Sequence, residues 1–157
     1  MRVWIFVCLF LLPGFSVFGQ GDPAFYMGNA RTGEKPQSKV WFHDGAWWCI
    51  LAGTVSGKTA HRIYRFGGTN WELVNSRQQV VDAREGARAD VLSVEDELFV
   101  LSFHPRQTRF LAFDYDDKFK QYVMRKGFPV VISHLSLTGI ETMVLEREGS
   151  GRFWAIF

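Results

Sequence analysis

The chain has 157 residues, 47% hydrophobic and 16% aromatic, with a formal net charge of +2. That length supports a domain with a real core. The near-neutral, interspersed charge excludes the basic face of a nucleic-acid binder and a polybasic membrane patch. High aromatic content with 15 glycines and few helical patterns predicts an all-β fold.

Residues 1–19 read as a secretory signal peptide. Arg2 gives a positive start, a short apolar run comes next, Pro13-Gly14 breaks it, and Gly19 offers a small residue for cleavage before Gln20. The expected location is therefore secreted, extracellular or periplasmic, with no membrane association after cleavage. Cleavage would remove Cys8 and leave Cys49 alone, so no internal disulfide is expected. Cys49 lies between Trp48 and Ile50, where a buried, inert thiol is the simplest reading. Residues 20–37 hold no sustained period and form an extended lead-in.

The hairpin at 38–51 organises the rest of the chain. Val40, Trp41 and Phe42 enter, Asp44-Gly45 turns, and residues 47–51 return. Asp-Gly between apolar runs is a strong hairpin signal, because Gly accepts positive φ. A Gly/Ser/Thr loop is expected at 53–60, a third strand at 61–66 and a fourth at 71–74. A polar link at 75–88 contains the apolar step Val80-Val81.

The plan then repeats. Val91-Leu92 enters, residues 95–97 turn, 98–103 return, 108–115 make a third strand and 121–124 a fourth. Residues 127–132 are an apolar lead into a third unit, whose hairpin joins Met143, Val144 and Leu145 to residues 153–157. Trp48 to Phe99 is a step of 51 residues, Trp71 to Tyr122 is also 51, and Phe99 to Trp154 is 55. Four short strands per unit at this period read as β-propeller blades. The partial propeller spans 38–157: about two complete blades plus the first hairpin of a third, with units starting near 38, 89 and 141. Propellers close with about four to eight blades. The expectation is therefore an N-terminal piece of a longer protein, completed by further blades of the same or another chain. Trp48, Phe99 and Trp154 are expected at equivalent buried positions.

Several blocks carry a resemblance: residues 35–41, the His43-Asp44-Gly45-Ala46-Trp47-Trp48 hairpin, residues 88–91, residues 127–130 and residues 151–155. Through them the chain resembles secreted bacterial β-propeller proteins, distantly like the sialidase-like (BNR-type) propellers, over about residues 35–157. The sialidase aspartate box, Ser/Thr-x-Asp-x-Gly-x-x-Trp, is missing, as is the Phe-Arg-Ile-Pro type motif. No sialidase residue carries over.

The repeat places Lys39, Asp90 and Thr142 at equivalent starts of the first strands, with Arg88 and Glu141 beside them. Lys39, Arg88, Asp90 and Glu141 are thus the candidate ligand-binding residues; convergent opposite charges suit a polar ligand such as a sugar. Against this stands a purely structural role, in which they pair with each other between blades. His43, His61, His104 and His134 share no metal spacing, and His43 and His104 fall in turns as surface residues. The acidic turn at 114–118 lacks the glycine and terminal glutamate of a calcium loop. No metal, cofactor or nucleophile elbow is implied. The expected function is a binding or interaction module for glycans or an extracellular protein. The alternative is part of a glycosidase or polysaccharide lyase, its site completed by missing blades, with Asp90 and Glu141 as the available acids.

Overall fold

The computed structural model describes residues 39–74, 80–105, 107–132 and 143–156. The signal-peptide and lead-in readings, and Glu141, Thr142 and His134, lie outside them.

The elements are strands. The first sheet has the order β1-β2-β3-β4, with β1 (Val40–His43), β2 (Ala46–Val55), β3 (Lys58–Phe66) and β4 (Trp71–Leu73). The second has the order β5-β6-β7-β8, with β5 (Arg88–Val94), β6 (Glu97–Phe103), β7 (Thr108–Asp116) and β8 (Gln121–Met124). β9 (Val130–Ile132) also pairs with β7. β10 (Val144–Arg147) and β11 (Phe153–Ile156) form a two-stranded third sheet. Every pairing between strands is antiparallel. The fold is all-β, built from repeated antiparallel sheets.

The turns come from backbone sterics. Asp44 and Gly45 take φ of 48° and 70°, and Ser56 and Gly57 take 50° and 74°. Positive φ at both central residues gives a two-residue turn whose twist matches the strands it joins. The second of these turns corrects the loop expected at 53–60. Gly53 and Thr54 lie within β2, and only Ser56-Gly57 turn.

Successive sheets stack face to face. Trp41 and Trp48 are paired across β1 and β2, so their side chains share one face. That face, with Ile50 and Ile63, packs into one cluster with Val91, Leu98, Val100 and Phe113 of the second sheet. Tyr122 joins it, accepting a hydrogen bond from Trp41 Nε1 at 2.9 Å. The opposite face of the second sheet carries Phe99 and Leu101, which cluster with Met143 and Leu145 of the third unit. The 51-residue step thus carries Trp48 to Phe99 and one interface to the next.

Two expectations are corrected. Trp154 is 52% exposed. It pairs with Glu146, on the face opposite Leu145, whereas Leu145 is the residue packed on the second sheet. The Trp71–Tyr122 match is out of register: Phe66 pairs with Trp71, but its counterpart Phe113 pairs with Met124. The cause is unequal hairpins. Ile50 pairs with Ile63, 13 residues on, while Leu101 pairs with Phe110, only 9 residues on. The hairpin from β7 to β8 is in turn longer than that from β3 to β4, and the two differences do not cancel. Residues 130–132, within the apolar lead into the third unit, pair with Thr108, Arg109 and Phe110 at the margin of the second sheet.

Candidate functional site

Of the candidate residues described, Arg88 lines a cavity, Asp90 fastens two sheets and Lys39 lies within electrostatic reach of both. Lys39 immediately precedes β1, and its carbonyl accepts the N–H of Ile50 at 2.9 Å. Burial holds its ammonium below the usual lysine range, while Asp90 favours its charge and Arg88 opposes it. Asp90 is buried on β5, and its Oδ2 accepts the backbone N–H of Leu145 at 2.8 Å. That bond goes to a backbone N–H of the third sheet and not to another of the candidate charges.

Arg88 opens β5 and lines a cavity of about 570 Å³ with Thr59, His61, Arg84, Glu85 and Ala52. The cavity forms where β2 and β3 run on beyond the sheet contact and meet the segment that leads into β5. Its floor includes an isolated antiparallel bridge: His61 N donates to Asp82 O at 2.7 Å, and Val81 N donates to His61 O at 2.9 Å. Val81 is buried in the first cluster and anchors this otherwise polar segment.

Asp82 organises the wall, and sequence reasoning missed it. Its side chain is fully buried. Arg84 Nε donates to both of its carboxylate oxygens at 3.0 Å, and the Arg84 backbone N–H donates to Oδ1 at 2.9 Å. Ser102 Oγ donates to Oδ2 at 2.5 Å, and Arg109 Nη1 lies 3.8 Å from Oδ1. Arg84 also reaches across to the carbonyls of Gln107 and Ser102. Burial alone would push the Asp82 carboxyl up, but the hydrogen bonds from Arg84 and Ser102 outweigh it and hold the pKa low. The only signal in the sequence is the Val80-Val81 step next to Asp82.

Ser102, His61 and Asp82 do not form a nucleophilic triad. The serine donates to the aspartate itself, so the imidazole is not placed between them as a base. Burial lowers the His61 pKa, with Asp82 opposing and Lys39 adding to the shift. His61 is among the residues lining the cavity, and burial disfavours its charged form. Thr59, His61, Glu85 and Arg88 are among the cavity's lining residues, of hydroxyl, imidazole, carboxylate and guanidinium type.

Other expected features resolve differently. His43 is not a free surface histidine. Its Nε2 lies 3.1 Å from Asp96 Oδ1 and its ring packs edge-on against Tyr115 at 4.4 Å. Asp114 and Glu97, from the acidic turns, both bind Arg125, and Glu97 also accepts from Arg147 at 2.8 Å. These carboxylates tie β6, β7 and β10 together. Among the described residues, no group of three or more His, Cys, Asp or Glu is placed to hold a metal ion. Cys49 is buried, and burial pushes its thiol up. Comparison with protein-family models, with curated proteins and with solved structures finds no match to the chain.

Proposed function

We propose that this chain is part of an exported β-propeller that binds glycans through the cavity beside Arg88. The repeated face-to-face stacking of four- and five-stranded antiparallel sheets supports the propeller reading. The charged start and short apolar run of residues 1–19 support export.

The observation that carries the binding reading is the cavity itself. Its volume of about 570 Å³ lies within the range of small-ligand sites, about 300–1,000 Å³. Its polar groups are mixed in sign and type, as a ring of sugar hydroxyls requires. Asp82 and Arg84 satisfy one another and the carbonyls around them. They form a rigid wall, which lowers the ordering cost of binding. Arg88 and Thr59 are the groups assigned to the ligand. The glycosidase alternative would draw on Asp90, one of whose oxygens accepts from Leu145, and on Glu141, which lies outside the described residues.

Glycan-array screening of the wild type, Arg88→Ala and Thr59→Trp tests the assignment. The expected result is binding by the wild type that weakens at least tenfold in Arg88→Ala and is lost when Trp fills the cavity. Equal binding by all three, with melting curves unchanged, would overturn it.

A further inference from the structure

Residues 80–88, which lead from the first sheet into the second, are attached to the two sheets by different means. Side chains hold them to the second: Arg84 donates to the carbonyls of Gln107 and Ser102, and Asp82 accepts from Ser102 Oγ. A backbone bridge holds them to the first, with His61 N donating to Asp82 O at 2.7 Å and Val81 N to His61 O at 2.9 Å. The cavity is lined by Ala52, Thr59, Ala60 and His61 on one side and by residues 83–88 on the other. The bridge at His61 therefore sets how far apart those walls stand.

The same residue carries the group that can break it. His61 pairs with Ala52 and alternates with Ile63, so it lies on the face turned toward the second sheet, and it is 7% exposed. Asp82 and Lys39 are the charges that act on it. Asp90 and Arg88 act in turn on Lys39, and Arg84, Glu85 and Arg88 line the same cavity. An imidazolium here would have Lys39 as a like-charged neighbour. Asp82 would have to serve it as well as Arg84, Ser102 and Arg109, which already surround that carboxylate. A buried charge without a partner of its own is costly. The side chain regains water if β3 draws away from residues 81–82, and that movement parts the bridge.

We propose that protonation of His61 parts this bridge and opens the cavity in mild acid, so that a glycan held at neutral pH is released. The release rests on the proposed glycan site; the parting of the bridge does not. Burial lowers the His61 pKa in the closed form, and an opened imidazole titrates near its ordinary value of about 6.5. Opening takes up a proton, so between those two values the closed form loses ground by up to about tenfold per pH unit. The Asp82 pKa is held low, so its carboxylate and the Arg84 clamp persist while the bridge parts. The opening is local to the cavity.

Amide hydrogen exchange read by NMR on the full chain tests this from pH 7.5 to 5.0, each rate being divided by the intrinsic rate at that pH. Protection of the His61 and Val81 amides is expected to fall about tenfold, with little change at Val100 and Leu101 in β6. The fall should track the titration of the His61 imidazole in the same samples, with a midpoint below about 6.5. It should be absent in His61→Gln. Constant protection at His61 and Val81, an equal fall in β6, or a fall that does not follow the imidazole titration would overturn the proposal in the wild type alone. Calorimetry with the glycan bound most tightly on the array at pH 7.5 should show affinity falling over the same range in the wild type and steady in His61→Gln. Affinity that holds while the bridge opens would overturn the gating. Absence of glycan binding at pH 7.5 would instead count against the glycan site, and the exchange data would still decide whether the bridge opens.

Discussion

Asp90 and Leu145 are joined across two sheets: the buried carboxylate on β5 accepts the N–H of Leu145 on β10 at 2.8 Å. This bond links residues 55 positions apart and fixes the height of the third sheet against the second. Removing the acceptor leaves a buried N–H unpaired, which costs about 1–3 kcal/mol. Asp90→Ala should lower the unfolding free energy by about that much in urea titrations, while Asp90→Asn, which keeps a carbonyl oxygen, should cost less. Weakened glycan binding without loss of stability in Asp90→Asn would instead restore Asp90 to the ligand site.

The sequence repeat matches Trp48 with Trp154, yet only Trp48 is enclosed. Trp48→Ala should cost about 3–5 kcal/mol, the range for deleting a large buried aromatic. Trp154→Ala, measured in dilute solution, should cost less than about 1 kcal/mol, as a surface change does. Similar losses at both positions would contradict the face assignment.

Acid should weaken the fold in two stages. The His61 pKa is lowered in the folded protein by burial. Its contribution is present above the unfolded value of about 6.5 and is lost as pH falls through the folded value. The Asp82 pKa is also lowered. Its contribution persists above about 3.9, the unfolded value, and disappears below that as the folded carboxyl takes up its proton. Urea midpoints measured from pH 7.5 to 4.5 should decline in the wild type, and the decline should be smaller in His61→Gln. Identical slopes would show that His61 does not couple folding to pH.

Cys49 should resist alkylation. Its thiol is buried and its pKa is raised by burial, and the thiolate is the reactive form. Iodoacetamide labelling read by peptide mass spectrometry should leave Cys49 unmodified in buffer and modify it in denaturant. Rapid labelling of the folded protein would place Cys49 at the surface.

Legibility in the sequence tracked how locally each feature is determined. The Asp44-Gly45 turn and the strand at 121–124 could be read because turn chemistry and apolar alternation act over a few residues. Residues 53–60 misled because Gly53 looks like a loop residue. Gly53 lies in β2, where the Tyr64 hydroxyl occupies the space a Cβ would take. The strand at 130–132 could not be assigned to the second sheet, since its partner β7 is distant in sequence. Lys39, Arg88 and Asp90 were singled out because the repeat aligns the starts of the first strands. Asp82 was not, because Ser102 and Arg109, cross-strand partners in the second sheet, meet it only in the folded structure.

The central functional claim is most directly tested by hydrogen exchange on the wild type with and without the strongest ligand from the glycan array. Saturable protection at residues 59–61 and 83–88, absent in Arg88→Ala, is the predicted result. Protection confined to other segments, or no change at any ligand concentration, would contradict it.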